Sequence, residues 1–143
     1  MNTRMHSPSA YARDRLFSAE CSMARLSFRQ ADVPAVRRFA IVFGARCGMS
    51  ADRLADFVLA VSEAAACTVS HGPCTATLRL CTTGARVICE SRGDSMLFGH
   101  GPRAVGQGGA DALRRRLLRR VCDHASIEAG PHGVTVRFSM TVT

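Results

Sequence analysis

The strongest constraint on the fold is a long amphipathic segment that begins near residue 50 and continues to about residue 70. Apolar side chains recur along it at helical spacing and form one stripe. The members of the stripe are Leu54, Phe57, Val58, Val61, Ala65 and Thr68. Ser50 is a suitable N-cap, and His71-Gly72-Pro73 is a sequence that ends helices. The segment therefore predicts a long helix with one buried face.

The flanking patterns predict two more helices and five strands. Asp32 is the expected N-cap of the first helix, which runs to about Cys47 and stops at Gly48. The last helix is expected at 110–124, and strands are expected at 24–28, 75–81, 86–90, 125–129 and 134–143. The order β-α-α-β-β-α-β-β favours an α/β two-layer sandwich of the α+β type, in which a mostly antiparallel sheet carries helices on one face.

Two segments are expected to lie outside this framework. Residues 1–22 are polar and basic and are predicted to be a disordered leader, which leaves residues 23–143 as one domain. Residues 91–109 contain six glycines and one proline and are predicted to form a long loop.

The charge composition excludes several classes of protein. The net charge is +8, and every basic residue is an arginine. Because lysine is absent, a P-loop, a Schiff-base enzyme and a kinase of the eukaryotic type are excluded. The charge favours an acidic partner or a solvated basic surface. Direct nucleic-acid binding is not expected, because no aromatic residues alternate with the arginines of the last helix and no helix-turn-helix pattern is present.

Neither the apolar runs nor the cysteines indicate a secreted or membrane protein. No apolar run approaches the roughly 18 residues of a membrane span, and no secretory signal is visible, so we expect a cytoplasmic protein. Seven cysteines without a C-x-x-C pair favour small buried apolar side chains. Two alternatives stay open: a zinc site made of Cys67, His71 and Cys74, and a thiol sensor centred on Cys67.

Three motifs resemble those of a known family. Ser62-Glu63-Ala64 and His71-Gly72 match the nucleotide-pocket helix of the small anti-sigma-factor serine kinases, which belong to the histidine-kinase-like ATPase superfamily. In that family the glutamate is the general base, and an asparagine four residues later helps to hold Mg²⁺. The resemblance therefore assigns the base to Glu63, and it places Cys67 at the asparagine position.

The other two motifs are further along the chain. Glu90 stands where the family has an adenine-binding aspartate, and Ser91-Arg92-Gly93-Asp94 follows it, so the resemblance assigns Glu90 and Gly93 to the nucleotide. Gly106, Gly108 and Gly109 resemble the glycine-rich lid, whose backbone amides cradle phosphates. Cys67 and His71 are likewise expected to line the pocket.

The resemblance, which spans about residues 24–142, implies a histidine-kinase-like ATPase fold, ATP and Mg²⁺ as cofactors, a sigma factor or anti-anti-sigma protein as partner, and a possible homodimer. Mg²⁺ prefers oxygen ligands, and a thiol is a poor substitute. We therefore expect partner binding to be retained, nucleotide binding to be weakened and kinase activity to be reduced or lost. The alternatives are an active ATP-dependent serine/threonine kinase and a cysteine-based redox sensor.

Overall fold

The computed structural model describes residues 23–70, 75–94, 109–131 and 133–143; the expected leader at 1–22 lies outside them. The elements are β1 (Met23–Phe28), a 3₁₀ turn (Gln30–Asp32), α1 (Val33–Arg46), α2 (Ala51–Val69), β2 (Thr75–Thr83), β3 (Arg86–Asp94), α3 (Gly109–Val121), β4 (His124–Gly130) and β5 (Gly133–Thr141). The predicted order and the α+β class are confirmed. Within the described ranges, no helix is both long enough and apolar enough to cross a bilayer.

The five strands form one sheet in the order β1-β2-β3-β5-β4, and every neighbouring pair is antiparallel. The register places Leu80 opposite Cys89, and Cys89 opposite Phe138. Because side chains alternate between the faces of a strand, these three residues share one face of the sheet. Burial alternates along β5 in the same way, and the helices pack on this buried face.

Helix α2 occupies the centre of the helical layer, where it contacts α1, α3 and strands β2, β3 and β5. Phe57 is fully buried between two other rings. Its centroid is 6.4 Å from that of Phe43 on α1 and 6.3 Å from that of Phe138 on β5, the latter in an edge-to-face arrangement. Burial of one such side chain contributes about 1.5–3 kcal/mol. Phe57, Val61, Ala65 and Thr68 of the predicted stripe are therefore in the interior of the domain, whereas Leu54 and Val58 are half-buried.

The helix boundaries follow local chemistry. The Arg53 backbone N–H donates to Ser50 Oγ at 3.2 Å, which confirms the predicted N-cap of α2. Gly48 follows α1 with φ +83°, a left-handed conformation that favours glycine. Asp32 is at the N-cap position of α1, but its carboxylate accepts from the Arg29 backbone N–H at 3.0 Å instead of capping α1.

Two predicted boundaries were wrong. The loop was expected to start at residue 91, yet β3 continues to Asp94. The strand is extended because Ser91 and Gly93 face α2 and pack against it: Ser91 Oγ is 3.0 Å from Thr68 Oγ1. The last helix was expected to reach residue 124, but α3 ends at Val121. The Asp123 N–H donates to the Ser139 carbonyl at 2.9 Å, so the chain has already joined the sheet at that residue.

Substitution of Gly93 should test the close contact between β3 and α2. A Cβ at Gly93 would lie 2.2 Å from the Thr68 carbonyl oxygen, so Gly93→Ala must displace backbone and is expected to lower the free energy of unfolding by about 2–3 kcal/mol. Gly130→Ala is the matched control, because no atom lies within 4 Å of the added Cβ. Chemical denaturation measures both, and equal stability of the two variants would contradict this contact.

Candidate functional site

Cys67 lies inside the domain. It has no exposed surface and belongs to the apolar core. Its neighbour Thr68 is buried too, and the Thr68 hydroxyl donates to the Ala65 carbonyl at 2.8 Å. A thiol is readily accommodated among apolar neighbours because it behaves as a small apolar side chain. At the position that the resemblance assigns to a metal-holding amide, the described structure thus has a core residue.

Glu63 lies one turn earlier on α2, at the edge of the helical layer. Its carboxylate oxygen Oε1 is 3.5 Å from Arg114 Nε on α3, and the glutamate side chain is 28% exposed. Beside it, Ser62 Oγ accepts from Arg37 Nε of α1 at 2.9 Å. The expected general base is therefore in a half-buried ion pair that joins two helices.

Glu90 is on the opposite face of the sheet from α2. It is 2% exposed, and Arg137 Nε donates to its Oε2 at 2.8 Å, while Arg79 Nη1 lies 3.6 Å from Oε1. The two arginines are its register partners on β5 and β2. A buried carboxylate must be neutralised, and these cross-strand neighbours do so. The expected adenine-binding carboxylate is therefore separated from Glu63 and Cys67 by the sheet.

The residue of this segment that faces α2 is Ser91, which sequence reasoning had placed in a loop. Alternation along β3 directs Cys89 and Ser91 toward the helices and Glu90 away from them. The signal was present in the sequence, because Val87, Cys89 and Ser91 continue the period of two. Gly93, expected at the nucleotide, lies against α2 for the packing reason described above.

The remaining expected site residues are only partly covered by the structure. Gly109 begins α3. His71, Gly106 and Gly108 lie outside the described residues, as does Cys74 of the zinc alternative. In the ranges that are described, no three His, Cys, Asp or Glu side chains come close enough together to hold a metal ion.

The side chains in the described part of the structure do not fit the Mg²⁺ and ATP site that the resemblance implies. That site needs a metal-holding oxygen on the face of α2 that carries the base. The side chain at this position is a buried thiol, and the base position is in an ion pair with Arg114. No phosphoryl-transfer step is therefore derived from these residues.

Burial raises the pKa of three of the described thiols. Burial raises the pKa of Cys89 well above its ordinary value, and the nearby Cys122 and Glu90 raise it further. Burial raises the pKa of Cys122 to about 12, with a further increase from Asp123. Burial also raises the pKa of Cys47. Since the thiolate is the reactive form, these positions are poor candidates for a redox sensor.

An open groove lies between α1 and α2 on the outer surface of the helical layer, with a volume of about 610 Å³. Its walls are mainly apolar, and Leu54 and Val58 line it together with the exposed side chains of Ile41 and Leu59. Glu63 is at its polar end. The sequence analysis did not predict this groove. It could have been recognised from apolar residues on the outer surfaces of the two helices, beside residues that pack between them.

Comparison with known proteins identifies no family. No protein-family model matches the chain. A search of curated proteins likewise finds no match. The resemblance to anti-sigma-factor kinases therefore depends on the motifs alone.

The shielded thiols make a prediction about alkaline stability. Unfolded thiols have a pKa of about 8.5, so above that pH the unfolded chain releases protons that the folded chain retains at Cys89 and Cys122. The folded pKa is raised, so stability is complete below about pH 8.5 and is lost as the pH rises toward 12, by about 1.4 kcal/mol per pH unit for each thiol. Because lysine is absent and there is a single tyrosine, the cysteines are the main groups that titrate there.

Urea unfolding at several pH values between 7 and 10, with a reductant present, measures this slope. Cys122→Ser should make it less steep by about 1.4 kcal/mol per pH unit. Cys47→Ser, at a less buried thiol, should change it less. Parallel slopes for the parent and Cys122→Ser would contradict the assignment.

Proposed function

We propose that this chain is a regulatory protein of the anti-sigma-factor kinase type, with a histidine-kinase-like ATPase fold, that acts by binding a partner and has lost phosphoryl transfer. The partner would be a sigma factor or an anti-anti-sigma protein, which would place its action in the cytoplasm. The α+β class with helices on one side of an antiparallel sheet supports this fold, and the match of Glu63 and its flanking residues supports the family.

One observation carries the loss of catalysis: Cys67, at the metal-holding position, is a core residue with no exposed surface. A hard cation could not reach a ligand there, because the side chain has no exposed surface. In phosphoryl transfer the metal neutralises charge on the transferred group, so its loss removes the main source of stabilisation. The Glu63–Arg114 pair adds a second obstacle, because the carboxylate at the base position is already engaged by an arginine.

The retained function would be binding. The exposed apolar groove between α1 and α2 supports this part of the proposal, because exposed apolar surface of this kind marks interaction sites. The redox alternative centres on Cys67, which has no exposed surface, and the raised pKa values of Cys89 and Cys122 weigh against those two thiols as sensors. The active-kinase alternative has no described observation in its favour.

The direct test uses the purified full chain with the sigma factors and anti-anti-sigma proteins of its own organism. We expect a stable complex with one of them in the absence of ATP, and no phosphate incorporation from radiolabelled Mg-ATP. Isothermal titration with ATP should give no magnesium-dependent heat. Robust serine phosphorylation of an antagonist would overturn the proposal, and so would failure to bind any protein of either class.

Substitution of Cys67 tests whether the position still belongs to a pocket. Cys67→Asn places a larger, polar amide at a position with no exposed surface, and a buried amide that is left without a partner costs about 1–3 kcal/mol. We therefore expect a lower melting temperature and no gain of magnesium-dependent ATP binding. Cys67→Ala is the control, since it removes the thiol without adding a polar group. A stable asparagine variant that binds Mg-ATP would show that the inherited pocket is intact.

A further inference from the structure

The groove between α1 and α2 has the dimensions of a helix-binding site. On α2 its lining extends from Ala51 to Glu63, which is twelve steps of about 1.5 Å, or roughly 18 Å. That length accommodates about three turns of another helix. Ala51 and Ala55 are exposed and lie one turn apart, so a partner backbone can approach closely there. Ile41 and Leu59, 45% and 40% exposed, provide larger apolar contacts.

The two walls of the groove carry opposite charge. Helix α1 contains three arginines and no acidic residue, and Arg37 lines the groove itself. The acidic residues of α2 are Asp52, Asp56 and Glu63; Asp52 is exposed, and Glu63 lines the groove and also pairs with Arg114. The basic residue of α2, Arg53, is directed away, since its Nε donates to the Thr141 carbonyl at 2.8 Å on β5. An occupant therefore meets positive charge along α1 and negative charge along α2.

We propose that this groove binds an amphipathic α-helix of a partner protein, with acidic residues on the flank that faces α1 and basic residues on the flank that faces α2. This inference deepens the proposed function, because it names the kind of element that the regulated partner presents. Helix-in-groove recognition uses an apolar stripe at i, i+3, i+4 and i+7 for affinity. The flanking charges add specificity, since a like charge against either wall is unfavourable.

The charge arrangement also sets the direction of the bound helix. If a helix is turned end for end in the groove, its two flanks exchange sides. A helix with one acidic and one basic flank therefore satisfies both walls in one direction only. A helix whose two flanks have the same charge is attracted to one wall and repelled by the other in both directions.

A second copy of this chain fits less well. The exposed apolar residues of α1, Ile41 and Val42, have arginines as their only charged neighbours on that helix. Leu113, the exposed apolar residue of α3, is followed directly by arginines. Neither of these helices offers the acidic flank that the α1 wall requires, and α2, which does carry acidic side chains, is itself a wall of the groove. A partner of different sequence is therefore the better match.

The experiment uses three labelled helical peptides of eighteen residues with the same leucine stripe. The first has one glutamate flank and one lysine flank, the second has glutamate on both flanks, and the third has lysine on both. Fluorescence anisotropy with the full chain at low salt should show that the first binds about tenfold more tightly than the others, with the difference reduced at high salt. Equal affinity of the three peptides would overturn the proposal.

Matched variants locate the binding. Ala55→Gln fills the groove with an uncharged side chain and should weaken the first peptide at least tenfold. Ala45→Gln makes the same change at an exposed alanine of α1 that does not line the groove, and it should leave the affinity unchanged. Arg37→Glu should weaken the first peptide and strengthen the peptide with two lysine flanks. Equal loss in the two glutamine variants would contradict the groove as the site.

Light scattering of the unmodified chain tests the second-copy alternative. A concentration-dependent dimer that Ala55→Gln abolishes and Ala45→Gln does not would make the occupant another copy and would overturn the proposal. If none of the peptides binds, but a partner complex forms and no phosphate is transferred, the groove is rejected as the binding site. The proposed function then still holds. Serine phosphorylation from Mg-ATP would reject the proposed function regardless of the peptide result.

Discussion

The contact between the last turns of α2 and strand β3 determines which side chains of this central helix are buried and which are exposed. The Thr68 and Ser91 hydroxyls satisfy each other at 3.0 Å in the interior, where an unpaired hydroxyl would be costly. The Thr68 carbonyl lies so close to Gly93 that any residue with a Cβ at this position of β3 would clash with it. Cys67, next to Thr68 on the helix, has no exposed surface. Glu63, one turn earlier, is left at the edge of the layer.

Most of the architecture could be predicted from the sequence because its local signals agree with one another. The stripe centred on Phe57 indicated the buried face of α2. The Ser50 cap indicated where α2 begins, and the glycine after α1 indicated where α1 ends; the structure agrees with each. The end of β3 could not be predicted, because glycine next to serine and arginine is typical of loops, and the extension depends on a contact with α2 that is distant in sequence. Tertiary contact overrode local preference there.

The expected site was harder to predict for a related reason. A motif specifies which residues follow one another, whereas a pocket depends on which side of a strand each one occupies. Glu90 falls on the face away from α2, where Arg79 and Arg137 flank it. A register in which Glu90 faced α2 would direct both neighbours, Cys89 and Ser91, away from the core. The Thr68–Ser91 hydrogen bond would then be lost.

The same ion pairs show why net charge is a poor guide to this surface. Arg79 and Arg137 neutralise a buried carboxylate, and Arg114 bridges two helices. Such arginines stabilise the domain internally and do not form a free basic patch. The charge available to a partner is local, as it is on the two walls of the groove beside Arg37.

Under the proposed function, a thiol in place of an amide on α2 would have different consequences for the two surfaces of that helix. On the inner face, a thiol enters the apolar core more readily than an amide, because it is only a weak hydrogen-bonding group. The outer face is unaffected, since Ala55 and Leu59 point away from the sheet and keep their exposure whether or not a cavity exists beneath them. A chain altered in this way loses chemistry at the inner face and retains recognition at the outer face, so a binding function is physically consistent with the loss of the catalytic one.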